Sequence, residues 1–374
     1  MITVVADNKI PFLKGALDKY ARVVYFPARD IGPEQVKDAD ALIVRTRTKC
    51  NAGLLEGSRV KYIATATIGF DHIDADYCRS KGIAWSNAAG CNSGSVMQYV
   101  ASSLARITLL SGKRFGELTI GIVGVGHVGK KVERIARLLG MKVLLNDPPR
   151  ARAEGGKGFV GIDRLLAESD IVTMHVPLNR RGEDKTLHLA DSDFFGRLRR
   201  GGWFINTSRG EVMDTAEVKQ ALLNRHLSGA IIDVWEDEPD IDRELLSLAA
   251  ITTPHIAGYS LDGKANGTSQ SVRAISRFFK LGSVDWYPEN IPGPDNNLII
   301  IEKDHGGIDE LAGKLFLHTY NIESDSSALK SAPENFEQFR DDYPPRREFG
   351  AYKLSFNDPR DPLIELFKKI GFKI

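Results

Sequence analysis

Cysteine is scarce in this chain, whose 374 residues contain only Cys50, Cys78 and Cys91. The number is odd and no two of them stand in CxxC spacing, which argues against a disulfide framework and a cysteine-based zinc site. The pattern is typical of reduced thiols and predicts a protein of the cytoplasm, with no bound metal.

Long apolar runs and a surplus of one charge are also missing. No segment reaches the roughly 18 apolar residues that a membrane-spanning helix needs, and Met1–Asp7 predicts an opening strand rather than a signal peptide. Fifty Lys and Arg residues against 49 Asp and Glu residues leave no basic field, so nucleic acid is not an expected partner. The length and a hydrophobic content of 42% predict a soluble globular protein of two or three domains.

One stretch carries a nucleotide-binding pattern. An apolar run, Leu118–Val123, leads directly into Gly124-x-Gly126-x-x-Gly129, and a helical pattern follows. The first two glycines allow a tight turn and close approach to a pyrophosphate, and the third lets the helix pack on the strand. Asp147 ends the next apolar strand, 18 residues after Gly129, where a carboxylate accepts hydrogen bonds from ribose hydroxyls. Together these features predict a dinucleotide-binding unit.

Strands and helices alternate on both sides of this unit. Apolar strands at 170–178, 202–206, 229–234 and 251–254 predict an α/β fold with a doubly wound parallel sheet. Residues 1–92 predict a second α/β unit, and the helix at 264–279 is expected to return the chain to it. This domain is therefore expected to be discontinuous, at 1–92 and 258–280, with a dinucleotide domain inserted at 93–257. After a Pro-rich linker, residues 281–374 predict a small α/β domain with a polar stretch between 320 and 352. Its modest core favours pairing with a second copy of the chain.

A cluster of cations and hydroxyls, Arg45-Thr46-Arg47-Thr48-Lys49, follows the strand at 41–44. Ligands of open α/β sheets bind at the carboxyl ends of strands, so the cluster and the segment after the strand at 62–66 are expected at one crevice. In an extended segment Arg45 and Arg47 would point to one side, and Thr46 and Thr48 to the other, so an arginine would need a local bend to join Thr46 at the substrate. A solvated basic loop is the alternative interpretation.

Three further strand ends carry residues suited to hydride transfer at a hydroxylated carbon. His255 suits removal of the hydroxyl proton, and Glu238 suits a hydrogen bond to its other ring nitrogen. Arg209 has the planar fork that matches a carboxylate. Taken singly, each residue also has a structural interpretation: His255 as a histidine with satisfied hydrogen bonds, Glu238 as a solvated acid, and Arg209 as part of a surface ion pair. Their common position after strands of a dinucleotide fold favours catalysis.

Several motifs extend this pattern over nearly the whole chain. The broad ones are Gly124-x-Gly126-x-x-Gly129, Asn206-Thr207-Ser208-Arg209-Gly210, Asp233-Val234-Trp235-Glu236-x-Glu238-Pro239 and Thr253-Pro254-His255-Ile256-Ala257-Gly258. The narrower ones are Ile43-Val44-Arg45, Ala64-Thr65-Ala66-Thr67-x-Gly69-x-Asp71-His72, Asp147-Pro148-Pro149-Arg150 and Lys185-Thr186-Leu187-His188-Leu189. With them the chain resembles the D-isomer-specific 2-hydroxyacid dehydrogenases, and within these the erythronate-4-phosphate dehydrogenase family of vitamin B6 biosynthesis.

The resemblance implies a flavodoxin-like substrate domain around a Rossmann NAD-binding domain, and a homodimer formed through the C-terminal domain. It implies oxidation of 4-phospho-D-erythronate with NAD, catalysed by Arg209, Glu238 and His255. The expected cofactor contacts are Gly124, Gly126, His127, Val128, Gly129, Asp147, Val176, Thr207, Ser208, Arg209, Asp233 and Gly258. At Val176 relatives can carry threonine. The expected substrate contacts are Arg45, Thr46, Arg47, Thr67 and Tyr259, and Arg346 or Arg347 is a weaker candidate for reaching a neighbouring subunit.

Two alternatives stay open at this point. Another D-2-hydroxyacid dehydrogenase, such as one acting on phosphoglycerate, would share the catalytic set. NAD-sensing corepressors use the same scaffold without turning over a metabolite. The cation cluster at residues 45–49 and the lack of long disordered tails argue against the corepressor.

Overall fold

The computed structural model of the chain describes residues 1–282 and 284–374. It divides into two compact units, residues 1–92 with 260–292 and residues 93–259 with 293–374. Residues 293–374, expected in a separate domain, group with the dinucleotide unit.

The strands are β1 Ile2–Asp7, β2 Ala21–Phe26, β3 Ala41–Val44, β4 Tyr62–Thr65, β5 Ala84–Asn87, β6 Thr119–Val123, β7 Lys142–Asn146, β8 Ile171–Met174, β9 Gly202–Asn206, β10 Leu227–Ile232, β11 Ile251–Thr252, β12 Leu298–Ile301 and β13 Lys353–Phe356. The helices are α1 Pro33–Val36, α2 Ala52–Leu55, α3 Ala75–Ser80, α4 Ser93–Ser111, α5 His127–Leu138, α6 Pro148–Glu154, α7 Ile162–Glu168, α8 Ser192–Arg197, α9 Thr215–Leu223, α10 Arg243–Leu248, α11 Leu261–Phe278, α12 Gly307–Thr319, α13 Ile322–Ser331, α14 Phe336–Asp341 and α15 Ile364–Ile370.

The first unit contains a parallel sheet in the order β2-β1-β3-β4-β5. This is the flavodoxin-like order, in which ligands bind where the strand order reverses, between β1 and β3. Arg45 follows β3 at that point. The four residues of β3 and those of β4 are all buried, which is the pattern of strands covered on both faces.

The second unit contains a parallel sheet in the order β7-β6-β8-β9-β10-β11. Its strand order reverses at β6, the strand that leads into the glycine-rich turn. The doubly wound parallel sheet predicted from the sequence is therefore confirmed. The predicted strand at 170–178 ends earlier, at Met174, since β8 pairs with β6 and β9 only over Ile171–Met174.

The C-terminal residues join the core of the second unit. Phe316 on α12 is fully buried with Tyr99 and Leu104 of α4, and its carbonyl accepts a hydrogen bond from Ser102 Oγ at 3.2 Å. The polar stretch between residues 320 and 352, for which no element was predicted, contains α13 and α14. Helix α13 is easily missed because one of the three side chains on its buried face is polar, Ser326, which accepts the Thr252 N–H at 3.0 Å.

Candidate active site

The glycine-rich turn after β6 leaves room for a ligand that lies against its backbone. Gly124 has a φ of 88°, and a Cβ there would lie 2.7 Å from the carbonyl of His175. At Gly129 a Cβ would lie 2.1 Å from the Gly124 carbonyl oxygen, so only glycine lets α5 start this close to β6. Gly126 faces open space and begins α5 with no side-chain cap. Its free N–H groups fit a pyrophosphate.

Asp147 is held in place by backbone N–H groups at the end of β7. Its Oδ2 accepts from Val125 at 2.8 Å and its Oδ1 from Arg150 at 3.1 Å. The Arg150 guanidinium forms two bonds with Glu154, at 2.8 and 2.7 Å, and Arg152 pairs with Glu183 and Asp184. Both arginines near Asp147 therefore already have carboxylate partners.

A histidine outside the predicted site, His175, directly follows β8. His175 Nε2 lies 3.0 Å from Thr173 Oγ1, and its Nδ1 lies 3.3 Å from Thr207 Oγ1. Burial lowers the pKa of His175 to about 3, so the ring is neutral at working pH and orients the Thr207 hydroxyl. Val176, a predicted cofactor contact, lies against Gly124, where a Cβ would be 2.8 Å from its Cγ1.

The turn that carries Arg209 is fixed by Asn206. The Asn206 side chain accepts from Ser208 N and Oγ at 3.1 and 2.9 Å and donates to the Arg209 carbonyl at 2.9 Å. Arg209 is half-buried, and its Nη1 donates to the Ser208 carbonyl at 2.7 Å. A Cβ on Gly210 would lie 1.9 Å from the Trp235 carbonyl carbon, so this turn lies directly against the loop that leads to Glu238.

His255 and Glu238, predicted as a pair, are in contact. His255 Nδ1 lies 2.8 Å from Glu238 Oε2 and 3.1 Å from Oε1. Burial by itself raises the pKa of Glu238, but the bond and charge of His255, the Trp235 N–H at 3.0 Å and the charge of Arg340 outweigh it and hold that pKa below its usual value. Glu238 is therefore a carboxylate at neutral pH.

Hydrogen bonds clamp the backbone after His255 on both its N–H edge and its carbonyl edge. The carboxylate of Asp233, only 1% exposed, accepts the Ile256 and Ala257 N–H groups at 2.8 and 3.0 Å. The carbonyls of Ile256 and Ala257 accept from Arg346 Nη2 at 3.3 and 2.6 Å. Burial raises the pKa of Asp233, against the bonds it accepts.

Arg346 was the wrong candidate for a residue that reaches a neighbouring subunit. It is buried in its own chain, with its guanidinium 4.3 Å from the centre of the Tyr320 ring. The Arg347 carbonyl accepts from Gln98 Nε2 at 3.0 Å. Tyr259, a predicted substrate contact, is half-buried and packs edge-on against Tyr343 at 5.9 Å between ring centres.

The remaining predicted cofactor positions lie close to these groups in the chain. His127 is exposed and Val128 half-buried in the first turn of α5, and Gly258 directly follows the clamped residues. Ser208 is buried beneath its turn, and Asp233 acts on the backbone of residues 256 and 257. These positions as cofactor contacts stay predictions.

In the first unit, the cation cluster forms a turn rather than an extended segment. The Thr48 N–H donates to the Arg45 carbonyl at 3.2 Å, which leaves Thr46 and Arg47 exposed at the tip and Thr48 buried. The segment is therefore bent rather than regular, as an arginine that joins Thr46 at the substrate requires. Arg45 Nε lies 2.8 Å from Oδ2 of Asp7, a carboxylate that is fully buried at the end of β1. Arg45 thus neutralises an internal charge.

The described residues contain neither a membrane-spanning helix nor a cluster of metal ligands. Every helix described is too short or too polar to span a bilayer. Among residues 1–282 and 284–374, His, Cys, Asp and Glu side chains form no group of three that could hold a metal ion.

Comparisons with known proteins agree with this geometry. Residues 97–257 match the family described as D-isomer specific 2-hydroxyacid dehydrogenase, NAD binding domain. The chain is 51% identical to an erythronate-4-phosphate dehydrogenase of Bacteroides fragilis, over 94% of this chain and 98% of that protein. It is 38% identical to one of Pseudomonas putida, over 98% of each. A crystal structure of D-lactate dehydrogenase from Aquifex aeolicus with NAD and lactic acid matches with a TM-score of 0.58 and 27% identity, covering 74% of this chain and 95% of that one.

Proposed function

This chain belongs to the erythronate-4-phosphate dehydrogenase family of NAD-dependent D-2-hydroxyacid dehydrogenases, and we propose that it oxidises 4-phospho-D-erythronate to 2-oxo-3-hydroxy-4-phosphobutanoate in the cytoplasm, as a step of pyridoxal 5'-phosphate biosynthesis. The observation that carries the chemistry is the His255–Glu238 pair at 2.8 Å, beside the turn that presents Arg209. The substrate follows from the names of the relatives.

The chain's own residues supply proton transfer and orientation. The glycine-rich turn and Asp147 would hold NAD, which would supply the acceptor for the hydride that leaves C2 of the substrate. His255 takes the proton of the C2 hydroxyl on its Nε2, because its Nδ1 faces Glu238. The Glu238 carboxylate stabilises the imidazolium that forms. Arg209 holds the adjacent substrate carboxylate with its planar fork.

The direct test is reduction of NAD with 4-phosphoerythronate, 3-phosphoglycerate and D-lactate in parallel. We expect kcat/KM to be highest for 4-phosphoerythronate. Preference for 3-phosphoglycerate would assign another dehydrogenase activity. Tight NAD binding without turnover of any of the three acids would favour the corepressor function instead.

Asp147 is expected to select NAD over NADP. Its fixed carboxylate repels a 2′-phosphate, and both nearby arginines are engaged by other carboxylates. The variant Asp147→Asn should lower the ratio of kcat/KM for NAD to that for NADP about tenfold or more, the scale of one charge-assisted contact. Asp163→Asn, at an exposed aspartate of the same unit that contacts neither arginine, is the control and should change the ratio little. Similar kcat/KM values for both cofactors in the parent protein would contradict this role.

Arg45 and Arg47 are both proposed to bind the substrate together with Thr46. Substitution of Arg47 gives the better test of phosphate recognition. Arg45→Ala would leave the buried Asp7 carboxylate unpaired and would test the fold instead. Arg47→Ala should lower kcat/KM for 4-phosphoerythronate about ten- to a hundredfold, the cost of losing a charge-assisted contact. Activity on unphosphorylated erythronate should change little. Arg29→Ala, which removes a surface arginine, is the matched control, and equal losses on both substrates would rule out phosphate recognition.

We also propose that the C-terminal residues form a homodimer contact. On β12, Leu298 and Ile300 are 54% and 60% exposed, whereas Leu315 and Phe316 are buried inside their own chain. Deleting residues 281–374 would therefore uncover the core of the second unit, so substitutions on β12 give a cleaner test.

The double variant Leu298→Glu, Ile300→Lys should shift the protein from dimer to monomer in sedimentation, because charges replace apolar contact surface. Leu223→Glu, at an equally exposed leucine elsewhere, should leave the dimer intact. A β12 variant that sediments as an intact dimer would place the contact elsewhere.

A further inference from the structure

A row of hydrogen bonds in the first unit ends at Thr67, one of the proposed substrate contacts. His72 Nε2 lies 3.1 Å from Thr65 Oγ1, and Thr65 Oγ1 lies 2.7 Å from Thr67 Oγ1. Thr67 Oγ1 in turn donates to the Gly69 carbonyl at 3.1 Å. Neither the proton transfer nor the carboxylate binding described above uses His72 or Thr65.

The Gly69 carbonyl at the end of this row determines which group donates in each of its hydrogen bonds. A carbonyl oxygen only accepts, so the single hydroxyl proton of Thr67 points to Gly69. Thr65 must then donate to Thr67, and His72 must donate from Nε2 to Thr65. The neighbouring Ile68 carbonyl accepts from Asn87 Nδ2 at 2.6 Å, which anchors this segment.

The surroundings of His72 agree with this direction. Burial lowers the pKa of His72, against the charge of Asp71, so the ring is neutral at working pH and carries one proton. His72 Nδ1 is buried and has no hydrogen-bond partner among the residues that the structure describes. A bare nitrogen is tolerated there better than an orphaned N–H, so the proton belongs on Nε2.

The consequence lies in what Thr67 offers to a ligand. A hydroxyl oxygen accepts two hydrogen bonds, and one of these positions is filled by Thr65. The half-buried Thr67 therefore presents a lone pair rather than a proton. A carboxylate or a phosphate dianion has no proton to donate to it, whereas an alcohol does.

We infer that Thr67 recognises a substrate hydroxyl, and that His72 and Thr65 are positioning residues that fix its direction. This inference rests on the proposed function. In 4-phosphoerythronate the C2 hydroxyl gives its proton to the base, so the group left for Thr67 is the C3 hydroxyl. The site then distinguishes a 2,3-dihydroxy acid from its 3-deoxy analogue.

The experiment compares 4-phosphoerythronate with 2-hydroxy-4-phosphobutanoate, which keeps the phosphate and lacks the C3 hydroxyl. Thr67→Val, which is close to isosteric, should lower kcat/KM for 4-phosphoerythronate about tenfold, since a substrate hydroxyl loses its partner. It should change kcat/KM for the 3-deoxy acid less than about twofold, and Thr67→Ser should retain the parent preference. A similar loss on both acids would show that Thr67 binds phosphate or carboxylate, or only supports the fold, and would overturn the inference.

The positioning role has its own variants. His72→Leu removes the donor to Thr65 and should reduce the preference for the 3-hydroxylated acid about two- to tenfold, the scale of one neutral hydrogen bond. His72→Gln, whose amide places an N–H near the Nε2 position, should restore it. Loss of activity in both variants with an unchanged preference would assign His72 a structural role only. A parent protein that oxidises neither acid would refute the proposed function itself, and the inference with it.

Discussion

We expect His255→Ala to lower kcat by about a hundredfold or more, the usual scale of general acid–base catalysis. The imidazole is half-buried and its Nδ1 faces Glu238 at 2.8 Å, so Nε2 is the nitrogen left for the substrate. His255→Ala removes this nitrogen and with it the proposed acceptor of the C2 hydroxyl proton. Steady-state kinetics with 4-phosphoerythronate at saturating NAD measures the loss.

Two variants separate this role from a general effect on folding. Glu238→Gln keeps an acceptor for the Trp235 N–H but removes the charge that stabilises the imidazolium. Its kcat should fall less than that of His255→Ala. His318→Ala, at an exposed histidine, should behave like the parent. Parent-like turnover by His255→Ala would exclude it as the base.

Local patterns were enough to predict the sheets and the contact of His255 with Glu238. Both features depend on rules that act over short distances or along strands: glycines at fixed spacing, apolar runs, and polar residues just after the ends of parallel strands. The strands β3 and β9 have the predicted bounds because turn-forming and charged residues flank them closely. Neighbouring parallel strands then bring their carboxyl ends together.

The features that local patterns missed depend on partners far apart in the chain. Arg45 looked like a free cation, but its partner Asp7 lies 38 residues earlier and is buried by the sheet itself. Arg346 contacts carbonyls about 90 residues earlier, and a carbonyl leaves no signature in a sequence. Helix α13 was missed because a small polar residue, Ser326, occupies part of its buried face and bonds to the edge of β11.

The clamp on residues 256 and 257 also explains why the C-terminal residues belong to the dinucleotide unit. Asp233 holds the N–H edge of the two peptides from the sheet, and Arg346 holds the carbonyl edge from the C-terminal part. His255, directly before them, has a φ of 56°, a conformation that a non-glycine residue adopts only when its surroundings impose it. The C-terminal part therefore supports His255, the proposed base, in addition to its proposed role in dimerisation.

Arg209→Ala should lower kcat/KM at least as much as His255→Ala lowers kcat. A guanidinium that makes two charge-assisted bonds to the substrate carboxylate contributes about 1.5–3 kcal/mol for each, and together these correspond to about a hundredfold or more. The turn that carries Arg209 is fixed by Asn206 and lies against the Trp235 backbone, so the side chain is presented in a constant position.

Arg209→Lys is the sharper variant, because it keeps the charge and loses the fork. If the carboxylate is bound by two parallel bonds, lysine should recover only a small part of the loss. The effect should appear with 4-phosphoerythronate and with its 3-deoxy analogue alike, since both carry the carboxylate, which separates it from the expected effect of Thr67→Val. The kinetics of Arg200→Ala, at an exposed arginine on the same unit, provide the baseline for removal of a surface charge. Full recovery by lysine would mean that Arg209 acts as a point charge, and parent-like kcat/KM in Arg209→Ala would remove it from the catalytic set.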